Sequence, residues 1–133
     1  MKSKSVKRTE RGWAGHFICA DRCLFRRNTL LECGDVGIVV STVGLMLDYH
    51  HKGFPNTHKF AEVGYMRNYE TMAFHTNQED TRYHDIDVNR QISFESPWSI
   101  AELDAENEAN DMHEAVVDEI TAELERGNRY EIS

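Results

Sequence analysis

The sequence predicts an α+β fold: a mostly antiparallel sheet of five or six strands with one long C-terminal helix packed on it. Three observations carry this expectation. A β-branched run fills residues 36–43, apolar and polar residues alternate over residues 86–95, and apolar residues recur at three- and four-residue steps over residues 109–124.

Taken in order, residues 1–11 read as a basic N-terminal arm and residues 12–133 as a single α+β domain. Residues 13–20, rich in aromatic and branched side chains, read as a first strand. A turn at Asp21-Arg22 leads to a second strand over residues 24–32, and Cys33-Gly34-Asp35 supplies the turn before the third, giving a meander. Over residues 45–61, Asp48, His50-His51, Gly53, Pro55-Asn56 and His58 interrupt every period, which predicts a long loop and a variable binding surface. Residues 64–75 form a strand with Tyr65, Tyr69 and Ala73 on one face and Met66, Met72 and Phe74 on the other, so both faces are expected to be buried. Residues 86–95 should place Ile86, Val88, Ile92 and Phe94 on a dry face. Ser96-Pro97-Trp98 ends the sheet, and Ser99-x-x-Glu102 matches a capping box. The helix follows, with Ala109, Met112, Val116, Ile120 and Leu124 as its apolar stripe, His113 at the stripe's edge and Gly127 where a C-terminal cap belongs.

At 133 residues the chain is long enough to close one core unaided. Hydrophobic residues make up 40% and charged residues 29%, with only two prolines, a composition that folds. No stretch approaches the roughly 20 apolar residues a membrane span needs, and the basic start lacks a following apolar region, so neither membrane nor secretion is expected. Three cysteines, an odd number, fit reduced thiols and a cytoplasmic location. The net charge of −8 hides a gradient: residues 1–32 hold eight Lys or Arg against three Asp or Glu, residues 101–133 two against eleven. Nucleic acid is therefore disfavoured as a direct ligand, with the arm its one foothold.

His16-x-x-Cys19-x-x-x-Cys23 has a spacing that zinc could use, but a hairpin at Asp21-Arg22 would put the two sulfurs on opposite faces, and buried thiols are the simpler reading. His113-Glu114 lacks the second histidine of a zinc-hydrolase helix, since position 117 is Val117. Neither a phosphate-binding glycine loop nor a nucleophile elbow is present. No metal, cofactor or catalytic group is assigned. The same hairpin sets His16 opposite Arg27, which reads either as an anion or nucleotide site or as an arginine paired with an acidic residue, one on the C-terminal helix included. On the helix, Asp111, Glu114, Asp118 and Glu125 fall within about 60° of one another at 100° per residue, flanked by Glu108 and Glu119. That row, not neutralised locally and roughly 20 Å long, is either a contact for a basic partner or a solvated face.

The runs Glu10-Arg11-Gly12-Trp13-Ala14-Gly15-His16-Phe17-Ile18-Cys19, Arg26-Arg27-Asn28-Thr29-Leu30-Leu31-Glu32, Glu70-Thr71-Met72-Ala73-Phe74-His75 and Arg90-Gln91-Ile92-Ser93-Phe94-Glu95-Ser96-Pro97-Trp98 resemble small uncharacterised proteins of bacteriophages and integrated mobile elements. The resemblance implies a setting, with no fold or activity attached: small acidic proteins there often bind and block a host component, CRISPR effectors among them. Three functional readings follow. The first is a non-enzymatic protein acting through its acidic surface on a protein partner with a basic surface. The second is a small-ligand binder or minor hydrolase using the His16/Arg27 region. The third is a nucleic-acid accessory protein held by its basic arm.

Overall fold

The computed structural model describes residues 5–12, 15–17, 22–48, 59–77 and 85–130. Among them, one antiparallel sheet contains β1 (Lys7–Arg11), β2 (Cys23–Cys33), β3 (Val36–Leu47), β4 (Phe60–Ala61), β5 (Tyr69–Thr76), β6 (Ile86–Ile92) and β7 (Ser99–Ile100), followed by helix α1 (Glu106–Glu125). The order across the sheet is β1-β2-β3-β5-β6, with β4 beside β3 and β7 beside β5. The α+β architecture is the predicted one.

Alternation along β2, β3 and β5 sends one set of side chains to the helix and the other away from it. On the helix side, Leu31, Ile38, Val40 and Ala73 pack with Val116, Val117, Ile120 and Leu124. Each Val, Leu or Ile among them, fully buried, contributes about 1.5–3 kcal/mol. A neighbouring cluster joins Tyr69 to Leu45, Ala109 and Met112. The far side is covered too, with Leu30, Val39, Val43 and Phe74 all buried, so β3 reads as a nearly continuous apolar run.

The first predicted strand and its hairpin register require correction. Gly15, His16 and Phe17 lie outside any strand, and the rest of residues 13–20 except these lies outside the described residues. The strand beside β2 is drawn instead from the charged segment read as an arm: β1 pairs Arg11 with Asn28 and Lys7 with Glu32. Arg27 lies opposite Thr42 of β3, not opposite His16. The loop expected over residues 45–61 is closed at its base, where Met46 pairs with Ala61 and Leu47 with Phe60. Residues 49–58 lie outside the described residues.

The strand expected over residues 64–75 starts later, at Tyr69, because Gly64 and Arg67 bridge in a turn with Met66 at φ 57, leaving Tyr65 and Met66 exposed. The predicted dry face of residues 86–95 is dry only in part, with Ile86 and Phe94 half-buried and Phe94 packed against the core. Helix α1 lies over β2, β3 and β5, so β6 projects past the core: Ile92 is buried while Val88 is 66% exposed. Ser99 belongs to β7, which rules out its capping-box role, and the helix begins after Ala105 with no side-chain cap. Its C-terminus is as expected. Gly127 (φ 93) donates to Leu124 O and Asn128 to Glu123 O, the paired bonds of a Schellman end.

Candidate functional site

On the sheet face away from α1, the polar side chains of Asn28, Ser41 and Glu70 sit where burial should exclude them. His16 explains two of them. Its Nδ1 is 2.8 Å from Ser41 Oγ, its Nε2 is 3.0 Å from Glu70 Oε1, and its backbone N–H donates to Ser41 Oγ at 3.1 Å. The ring stacks beside Phe74, with centroids 6.4 Å apart. Gly15 permits this approach, because a Cβ there would stand 2.7 Å from Asn28 Oδ1 and 3.0 Å from Ser41 Oγ. The side chains of His16 and Glu70 are only 4% and 7% exposed.

A Ser, His and Glu in hydrogen-bond contact suggest nucleophilic hydrolysis, but this trio is arranged as a brace. Ser41 is fully buried, and its oxygen already accepts the His16 backbone N–H, so a substrate carbonyl has no approach to it. Burial pushes the Glu70 carboxyl up, yet the hydrogen bond and charge of His16, joined by Arg67, outweigh it and hold Glu70 below the ordinary carboxylate range.

Glu70 in turn fixes Arg67, whose Nε donates to Glu70 Oε2 at 3.2 Å. The guanidinium lies over the Trp98 ring, 4.9 Å from its centroid. The guanidinium also lies against Gly64, where any Cβ would overlap it. Beside this stack the sheet opens. β6 and β7 both pair with β5, Ile92 opposite Ala73 and Ser99 opposite Glu70, and residues 93–98 leave the sheet between them. The gap holds a cavity of about 350 Å³, lined by Arg67, Glu70, Thr71, Met72, Gln91, Ile92, Ser93, Phe94 and Trp98.

The structure separates the predicted pair His16 and Arg27. Alternation places Arg27 on the helix side, where its Nη2 donates to Glu10 and its Nη1 lies 3.6 Å from Glu114 Oε2. Arg8 donates to the same Glu114 oxygen at 2.6 Å. The alternative reading of Arg27, an ion pair reaching the C-terminal helix, is therefore the observed one. Glu114 belongs to this cluster, so the predicted row is neutralised at that position, while Asp111, Asp118 and Glu125 are exposed and, among the described residues, form no ion pair. The flanking Glu119 accepts the backbone N–H groups of Glu95 and Ser96 at 2.8 Å each.

His113 also departs from expectation: it is fully buried, not at the edge of the stripe. Its ring is satisfied within the core, Nε2 at 2.7 Å from Thr29 Oγ1 and Nδ1 at 2.7 Å from Thr42 Oγ1. Thr29 spends its one hydroxyl hydrogen on the Glu10 carboxylate, so it accepts from Nε2–H; Nδ1 is then the acceptor of Thr42, which accepts from Thr71. Burial, helped by the charge of Arg27, lowers His113 to about 4. Cys23 and Cys33 are buried, and Cys33 Sγ lies 3.8 Å from Leu124 O; Cys19 lies outside the described residues.

No family model, curated protein or solved structure matches the chain. Among the described residues no helix is long and apolar enough to cross a membrane.

Of the site residues, Arg67, Glu70 and Trp98 were not picked out from the sequence. One signal pointed to Glu70: a carboxylate inside a strand expected to be buried on both faces needs a partner.

Proposed function

We propose that this chain is a non-enzymatic binding protein whose ligand site is the cavity beside Arg67 and Trp98. The observation that carries the reading is the chain of restraint ending at the cavity wall: Ser41 orients His16, His16 and Arg67 hold Glu70, and Glu70 with Trp98 fixes the Arg67 guanidinium. Preorganising one arginine at a cavity mouth reduces the ordering cost of binding. Acid–base chemistry is less well supported, because His16, Ser41 and His113 commit their polar atoms to internal partners. Soaking crystals with a chemically mixed fragment set tests this. Density for fragments in this cavity supports the reading; fragments only elsewhere, or none, count against it.

The exposed carboxylates Asp111, Asp118 and Glu125 favour a second reading, a partner protein with a basic surface in the phage or mobile-element setting, including inhibition of a host nucleic-acid-handling defence complex. Glu114, paired with Arg8 and near Arg27, is less available to that contact. Asp111→Lys with Asp118→Lys should slow such an association and flatten its salt dependence without lowering Tm much. Unchanged association would leave the row a solvated face.

A further inference from the structure

Resting on the cavity as the binding site, we propose that its ligand is a small carboxylate with an aromatic or flat apolar body, the carboxylate taken by Arg67 and the body lying against Trp98 and Phe94. Two charged side chains line the cavity, and they are not equally available. Glu70 has Oε1 committed to His16 and Oε2 to Arg67, so it neutralises its neighbours and offers little to a cationic ligand. Arg67 uses only Nε on Glu70; among the described residues its Nη1 and Nη2 hydrogens have no acceptor. A planar guanidinium with its outer edge open matches a carboxylate through two parallel N–H···O bonds.

The rest of the lining supplies the body of the ligand. Met72, Phe94 and Trp98 are apolar, and Trp98 is 43% exposed, with Gln91 and Ser93 able to bond to a ring substituent. A volume of about 350 Å³ stands at the lower end of ligand pockets, suited to one or two rings. The same chemistry is carried by a free aromatic acid and by a peptide ending in an aromatic residue.

Amide-shift titrations of the whole chain decide the matter with five probes: indole-3-carboxylate, its methyl ester, tryptamine, a short peptide ending in a free phenylalanine carboxylate, and that peptide's amide. The expected result is that at least one acid moves the signals of Gln91, Ser93 and Trp98, with its ester or amide at least tenfold weaker; the tighter acid identifies the source. Arg67→Gln should weaken the acid at least tenfold, and Arg67→Lys should restore part of the loss. Ester binding as well as acid, or tryptamine binding more tightly than both, overturns the carboxylate assignment and leaves the cavity reading standing. If no probe moves those signals, the cavity reading falls as well. The acid-to-ester comparison needs no variant, so it decides even if Arg67→Gln unfolds.

Discussion

His16 Nε2 lies 3.0 Å from Glu70 Oε1, a contact between residues 54 apart in sequence that holds a carboxylate ionised inside the sheet. Removing either partner leaves the other buried without its counterpart. His16→Ala should therefore cost about 2–4 kcal/mol in urea unfolding, and Glu70→Gln about 1–3 kcal/mol. In a double-mutant cycle the two losses should be clearly less than additive. Full additivity would show that the contact carries no coupling.

The buried His113 gives a pH dependence of definite sign. Its value near 4 in the fold is depressed from an ordinary 6.5, so between those pH values the unfolded chain binds a proton that the folded chain refuses. Stability is fully present above pH 6.5, falls by ~3 kcal/mol as pH drops to 4, and takes no further loss from this group below that. Glu10 adds a second, lower window. Burial raises it, but Thr29, Arg27 and Arg8 bring it to about 2, so its contribution is lost as pH falls from about 4.5. Urea unfolding at pH 7, 5 and 3 measures both; His113→Gln should flatten the upper window alone.

Arg27 acts on that same histidine through its charge. Arg27→Ala should raise the pKa of His113 toward its ordinary value, read by NMR titration of the ring, while lowering stability by about 1 kcal/mol through the loss of Glu10 and Glu114 as partners. No ligand affinity should change with it. A His113 titration unmoved by the substitution would separate the two groups electrostatically.

The hydroxyl chain fixes the imidazole tautomer. Long-range ¹H–¹⁵N spectra at pH 7 should show His113 protonated at Nε2, and Thr29→Val, which removes the acceptor of that proton, should cost about 1–3 kcal/mol. An Nδ1–H ring would reverse the direction of the chain.

Periodicity made the helix and the central strands legible, because their apolar spacing matches the faces they bury: Ile120 and Leu124 on one element, Val39 and Val40 on another. It failed at the edges. Lys7 to Arg11 carries no alternation, since its side chains are largely exposed, and only its ladder to β2 makes it a strand. Val88 alternates correctly but lies beyond the reach of the helix, so the pattern lacks the surface that would bury it. The requirement that an arginine inside a strand find a partner was readable for Arg27, though which acid it meets depends on long-range packing. The same argument applies to Glu70, whose partner His16 lies outside the strands, as Gly15 and Phe17 beside it do.

The most direct test of the binding reading is the indole N–H signal of Trp98, assigned with Trp98→Phe, followed as fragments are added to the whole chain. The cavity account predicts that hits move this signal together with the amides of Gln91 and Ser93 along one saturation curve, and that Arg67→Gln weakens acidic hits. Hits that leave Trp98 unmoved and instead shift the amides of Asp111 and Asp118 would contradict it and transfer the function to the helix face.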